Sequence, residues 1–499
     1  MPQSYALGID QGSSGSRAVV LDAAGRVAGY GYQPVRRLYP QTGWVEQNPR
    51  EIAESVRGAV ALAIARAGCA ASAIAGCGIT SQRDTVFAWD RTTGTPIGNA
   101  ITWQDLRTIP LVAEVNQWAH ADQRRERLGQ FPGPYCSAMH MAWRMRHDPE
   151  FRRAADDGRL QMTLAAGWVV QALGRLNGNA LDYSLMQGMT VLDYRNKCLW
   201  QEWLDYLNIP AAALPTPVPT IHRYGEIDVV DQRGGRAAVP VLAMIADQQA
   251  SLFGFDCRTP GQAVCTHGTG SYMHVVVGQL PPKQGLAKIY LAWELDGIPT
   301  YAVEADTTVT GAVIRWMQEQ MGFISSPADL DPLAASVADA GGVAFVPAFT
   351  GLGMPYEDRS ARGTLLGMTL DTRPAHIARA FMEALGCLVY DMLQQLRADT
   401  GLEVERLHVG GGIAASEIAC QTQADLLGIP LVRAQEAETS VRAAALLGGL
   451  GAGIWPHVGA LPPLTGDATI FEPQRSAAAR AAGLAAWRKG IDRARNWAE

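Results

Sequence analysis

At 499 residues the chain is too long for one hydrophobic core and divides naturally into two domains of about 250 residues. Its 48% hydrophobic and 18% charged content is that of an ordinary globular protein, and a net charge of −6 without a Lys/Arg block speaks against a nucleic-acid surface. Eight scattered cysteines without a CxxC pair point away from a zinc site or disulfide framework and fit a reducing cytoplasm. No basic-then-apolar leader opens the sequence. The most apolar stretch, 58–79, carries Arg66 and reads as a helix followed by a strand, so no membrane span is expected.

The opening reads as three strands, 5–10, 17–22 and 27–33. The first turn is Asp10-Gln11-Gly12-Ser13-Ser14-Gly15-Ser16-Arg17. Its glycines let backbone approach a ligand, and its amides and hydroxyls can donate to phosphate oxygens. Asp10, ending the first strand, is placed to hold a metal ion through water. Taken alone, the octet is equally an ordinary polar hairpin. A helix follows, with Asn48 as N-cap, Pro49 at its first position and Glu51 completing a capping-box pattern. Another strand is expected over 74–80, and the proline-rich stretch 210–219 reads as a connection.

An apolar strand, 239–245, leads into Asp247 and a helical stretch over 247–253. Local sequence leaves Asp247 as either an N-cap or a reactive carboxylate. A second small-residue hairpin then opens: strand 262–266, turn Gly268-Thr269-Gly270-Ser271, strand 272–277. Two such hairpins, each opening half of the chain, suggest a duplicated α/β unit, with domains at 1–245 and 246–499 facing each other across a cleft. Further on, a strand at 407–409 runs into Gly410-Gly411-Gly412 and a helix from about 415 to 427. A glycine turn at a helix N-terminus suits a nucleotide. It also satisfies the G-x-G-x-x-A pattern of dinucleotide-dependent oxidoreductases, a reading that leaves Asp10, Arg17 and Asp247 without a role.

Several short motifs then fall in one order: Ile9-Asp10-Gln11-Gly12 with Arg17; Gly43-Trp44-Val45-Glu46-Gln47; Gly78-Ile79-Thr80 with Gln82-Arg83; Trp103-Gln104-Asp105; Asp247-Gln248-Gln249-Ala250; Gly268-Thr269-Gly270; and Pro347-Ala348-Phe349-Thr350-Gly351. With these the chain resembles the FGGY family of carbohydrate kinases, nearest in pattern to its glycerol kinases. The resemblance implies an α/β, two-domain actin/hexokinase-type ATPase (ribonuclease H-like) fold with duplicated βββαβαβα units around a cleft. It implies ATP-dependent phosphorylation of a terminal hydroxyl of a small polyol or sugar, with ATP and Mg²⁺. No nucleic-acid or membrane partner is expected, and a homodimer is compatible with the reading.

The resemblance further implies roles for single residues. Asp247 would be the catalytic group and Asp10 the metal ligand. Arg83, Asp84, Trp103, Tyr135, Asp247, Gln248 and Tyr272 would surround the acceptor. Gly12, Ser13, Ser14, Arg17, Gly268, Thr269, Gly270, Gly311, Arg315, Gly411, Gly412 and Ser416 would contact the nucleotide. The pattern departs from glycerol kinases where Asp84 replaces a usual Glu, Tyr272 a Phe and His140 a Lys. Arg315 and Ser416 likewise stand where Gln and Asn are common. The shorter Asp84 makes room for a longer acceptor, so a ketopentose kinase such as xylulose kinase is the alternative. An actin- or chaperone-like ATPase without a sugar substrate is the distant one, and gives the acceptor residues no role.

Overall fold

The computed structural model describes residues 4–268, 270–307, 309–434, 438–463 and 468–498. β1 (Tyr5–Gln11) turns through Gly12, whose N–H donates to the Gly15 carbonyl at 3.0 Å, into antiparallel β2 (Gly15–Leu21). β3 (Val27–Pro34) returns alongside β2. α1 (Pro49–Ala67) starts where expected: the Asn48 side chain accepts from the N–H groups of Arg50 and Glu51. The expected capping box does not close. Glu51 instead accepts from the Arg36 amide and guanidinium, because the stronger cationic donor lies within reach.

β4 (Ile74–Ser81) pairs parallel to β1, and β5 (Gly174–Leu176), β6 (Ile221–Val230) and β7 (Arg236–Ala246) complete a seven-stranded sheet in the order β3-β2-β1-β4-β7-β6-β5. The sheet leads into α2 (Asp247–Gly254). A second seven-stranded sheet follows from β8 (Ala263–His267), β9 (Ser271–Gly278), β10 (Lys288–Leu295), β11 (Ile298–Thr307), β12 (Leu407–Gly411), β13 (Leu431–Ala434) and β14 (Ala468–Phe471). Its order, β10-β11-β9-β8-β12-β13-β14, repeats the hairpin-then-parallel arrangement of the first, with β10 added at the outer edge. α3 (Gly311–Glu319), α4 (Pro374–Thr400) and α5 (Glu417–Leu427) belong to this second unit.

The halves are joined by an exchanged helix. α6 (Thr439–Gly451), from the second half of the chain, packs on β1 and β4 of the first sheet. Only small residues permit so close an approach: a Cβ on Gly8 would lie 2.3 Å from the Val441 carbonyl oxygen, and one on Gly78 would lie 1.9 Å from that of Ala444. Around this seam Ala6, Val19, Ile245, Phe253 and Leu446 form one buried cluster. Full burial of a Val, Ile, Leu or Phe side chain contributes roughly 1.5–3 kcal/mol. The packing also sets Glu438 and Ser440 over the first hairpin. Among the described residues all eight cysteines are free, and no helix is long and apolar enough to cross a membrane.

Candidate active site

The first hairpin, α2 and the second hairpin converge on a cavity of about 1130 Å³. Asp10, Gly12, Ser13, Ser14, Arg17, Asp247, Gln248, Gly268, Tyr272, Gly411 and Gly412 all line it. The first loop is braced from behind. Gln47 donates to the Ser13 carbonyl at 2.9 Å, Trp103 Nε1 donates to Ser13 Oγ at 3.2 Å, and Gln82 Nε2 donates to Gln11 and Gln47. Asp10 faces Arg17 across the hairpin register and accepts from Ser440 Oγ at 2.8 Å. Burial raises the Asp10 carboxyl above its ordinary range, with Arg17 and Ser440 opposing. Arg17 Nε pairs with Glu438 at 2.9 Å, which partly neutralises its charge beside the loop.

Asp247 occupies the first turn of α2, but the N-cap position belongs to Ala246. The N-cap alternative for Asp247 therefore falls. Asp247 Oδ1 accepts from the Gln248 N–H at 2.8 Å and lies 3.9 Å from Arg83 Nε, while among the described residues Oδ2 accepts no hydrogen bond. Burial pushes the carboxyl up to about 6, with Arg83 opposing and Asp10 adding. Gln248 Oε1 is held by Thr266 Oγ1 at 3.1 Å.

Behind Asp247 lies a charge network that sequence reading missed. Arg83 Nη2 donates to Glu304 Oε2 at 2.8 Å, and its guanidinium sits 4.8 Å from the Tyr290 ring centroid. Arg83 Nη1 is buried and has no hydrogen-bond partner among the described residues. Glu304 also accepts from His274 at 2.8 Å and from Lys288 at 3.2 Å. Burial works against the Glu304 charge, but Arg83 and Lys288 hold the carboxyl well below its usual range. Lys288 in turn pairs with Asp306 at 2.6 Å and lies 5.8 Å from the Tyr135 ring centroid. Asp84 takes a left-handed backbone conformation, φ 59°, and accepts from the Ser137 N–H at 3.4 Å. Burial raises its carboxyl to about 7. Asp247, Gln248 and Tyr272 line the cavity, Arg83 reaches Asp247 and Trp103 bonds Ser13, whereas Tyr135 connects to Asp247 only through Lys288, Glu304 and Arg83.

A second cavity, of about 680 Å³, continues from the first through Gly268 and Gly412. Gly311, Arg315 and Ser416 line it, with Ile314, Asp331 and Phe381. Gly268 and Gly270 form a tight turn, the Gly268 N–H donating to the Gly270 carbonyl at 2.8 Å, and Gly311 N donates to the Gly268 carbonyl at 3.1 Å. Thr269 lies outside the described residues. Ser416 is the N-cap of α5, accepting from Ala419 N, and its hydroxyl also bonds Asp331. The expected helix from 415 therefore starts at Glu417, because Ser416 caps it. Gly412 opens a 3₁₀ turn to Ala415 instead. The G-x-G-x-x-A stretch so forms a strand end and a 3₁₀ turn, not the strand–turn–helix of a dinucleotide fingerprint.

The glycines differ in role. A Cβ on Gly411, at φ +85°, would meet the His267 carbonyl oxygen at 2.2 Å, whereas one on Gly412 would meet nothing within 4 Å. The steric sensitivity of Gly411 is toward its own sheet, not toward a ligand as its sequence setting implies. Gly412→Val is expected to weaken ADP binding by roughly tenfold or more, about 1.4 kcal/mol, with the melting temperature little changed. Gly411→Val is expected to lower stability instead. Calorimetric titration and thermal melts of both variants separate the two effects, and full ADP affinity in Gly412→Val would remove that turn from the nucleotide site.

Residues 5–254 match the N-terminal domain of the FGGY family of carbohydrate kinases, and residues 263–452 match its C-terminal domain. The chain belongs to the FGGY family of carbohydrate kinases. Curated relatives of this FGGY chain include a glycerol kinase of Symbiobacterium thermophilum, 38% identical over 501 residues and covering 100% of both chains. Another is a glycerol kinase of Aromatoleum aromaticum, 39% identical over 498 residues and 99% of each. Among solved structures, Plasmodium falciparum glycerol kinase with ADP superposes with a TM-score of 0.90 at 24% identity, covering 99% of this chain and 98% of that one. Xylulose kinase from Lactobacillus acidophilus superposes at 0.85 with 19% identity over 98% of both chains. The structural likenesses establish the two-domain actin/hexokinase-type fold. The FGGY kinase is accordingly a carbohydrate or polyol phosphotransferase.

Proposed function

We propose that this FGGY kinase transfers the terminal phosphoryl group of ATP to a terminal hydroxyl of a small polyol of the glycerol class. The observation that carries the reading is Asp247. Among the described residues one of its carboxylate oxygens accepts no hydrogen bond; Asp247 shares its cavity with the Gly12–Ser14 loop and neighbours Arg83, whose buried Nη1 has no partner among those residues. Arg83 and Asp84 hold acceptor hydroxyls by donating and accepting respectively. Asp247 receives the proton as the acceptor oxygen attacks the terminal phosphorus and the bond to the ADP oxygen breaks. Gly12, Ser13 and Ser14 cradle the transferred group through backbone N–H and hydroxyl donors, and Arg17 adds charge through the N–H groups that Glu438 leaves free. The adenosine extends along Gly311, Arg315 and Gly412 into the second cavity. The donor set also fits a divalent cation. Asp10 and Asp247 share one cavity, and the Asp10 charge raises the Asp247 carboxyl. Asp10 would hold Mg²⁺ through water, and the ion would neutralise phosphate charge.

The test is ADP release with glycerol, erythritol, pentitols, ketopentoses and hexuloses as acceptors. Acceptor-independent ATP hydrolysis, with no acceptor raising the rate, would sink the reading in favour of a switching ATPase. The pH profile carries a second expectation. Asp247 must be ionised to accept the proton, so kcat/KM should hold a plateau above about pH 6 and fall as pH drops through that value. A profile flat down to pH 4.5 would contradict the assignment.

A further inference from the structure

We propose that Lys288 and Asp306 form a hydroxyl-binding subsite at the far end of the acceptor site, selecting an acceptor with at least one hydroxyl beyond the three of glycerol. The inference rests on the polyol kinase reading above. A line of charged groups leads away from the reacting carboxylate: Asp247 to Arg83 at 3.9 Å, Arg83 to Glu304 at 2.8 Å, Glu304 to Lys288 at 3.2 Å, and Lys288 to Asp306 at 2.6 Å. Glu304, the anchor, is 0% exposed, but Lys288 and Asp306 keep 19% and 20% exposure. Two aromatic acceptor candidates flank the pair. Tyr272 faces Asp306 in the strand register, and the Tyr135 ring lies beside Lys288.

The open valences match one functional group. An ammonium has three N–H donors; Lys288 donates one to Glu304 and is ion-paired with Asp306, which leaves at least one N–H to spare. Among the described residues the second Asp306 oxygen accepts no hydrogen bond. A spare donor next to a spare acceptor satisfies a hydroxyl, which both accepts and donates. An anionic acceptor such as a sugar acid does not fit, because the two cations Arg83 and Lys288 already face Glu304, Asp306, Asp247 and Asp84.

The experiment measures kcat/KM for glycerol, erythritol, a pentitol and a ketopentose with the full-length wild type, Asp306→Asn and Lys288→Met. The wild type should prefer one of the longer acceptors over glycerol by about tenfold or more, and each variant should cut that ratio by a similar factor, mainly through KM. A wild type that prefers glycerol overturns the subsite, as do variants that lose both acceptors in equal proportion. Lys288→Met also unties Glu304. If it fails to fold, Asp306→Asn, which keeps the side-chain shape, decides the ratio. Inactivity of the wild type on the whole series overturns the polyol kinase reading itself. Activity on glycerol with no gain from longer acceptors overturns the subsite alone.

Discussion

Asp247→Asn is expected to fold as the wild type does and to lose turnover by about 10²-fold or more, the usual scale for a positioned acid–base group. The substitution keeps the side-chain volume and the hydrogen bond from Gln248, since an amide oxygen can accept as Oδ1 does now. It removes the oxygen that can receive a proton. It also removes a carboxylate whose charge burial already disfavours, so stability should not suffer. ADP affinity should change little, because the nucleotide contacts proposed here belong to the two hairpins and the Gly412 turn. Pre-steady-state phosphoryl transfer with saturating acceptor isolates the chemical step from product release. Near-wild-type turnover in a folded Asn variant would take Asp247 out of the mechanism.

Glu304→Leu is expected to cost about 3–5 kcal/mol of folding stability, the scale for deleting one member of a buried ionic cluster. Glu304 is fully buried and is the common acceptor for Arg83, Lys288 and His274. Without it, Arg83 and Lys288 face each other with the carboxylates of Asp247, Asp84 and Asp306 left to balance them. The sign with pH follows from the depressed Glu304 carboxyl. Its contribution is complete above about pH 4.5, the ordinary Glu value, and is lost as pH falls below it. The stability gap between wild type and Glu304→Leu, read by urea unfolding, should therefore narrow in acid. On the proposed reading Glu304, bonded to Arg83, positions the acceptor through it. Acceptor KM should rise while ADP affinity holds. A Glu304→Leu protein as stable as wild type at pH 7 would show that the network does not bridge the two halves energetically.

Much of this arrangement was legible in the chain itself. The strands at 5–10, 17–22 and 27–33 and the Asn48 cap are local matters, decided by apolar alternation, small turn residues and one side chain reaching two backbone amides. The second hairpin and the helix after Asp247 are readable for the same reason. The motif order carried the family. Boundaries that depend on a cap were harder: α5 begins after Ser416 because that residue caps it, not at about 415.

Only the tertiary structure decided who stands opposite whom. Glu438 and Ser440 lie more than 400 residues from Arg17 and Asp10 in sequence and meet them because α6 crosses onto the first sheet through Gly8 and Gly78. The Glu304–Lys288–Asp306 set was invisible for a similar reason. Each residue sits on a strand whose pattern reads as ordinary sheet, and charges on a strand usually face solvent. They come together because β10 is added outside β11 and the first half of the chain delivers Arg83 to the same point. Local sequence sets backbone conformation through short-range sterics and capping. Charge pairing at long range depends on which elements pack face to face, and that depends on the whole chain burying its apolar surface at once.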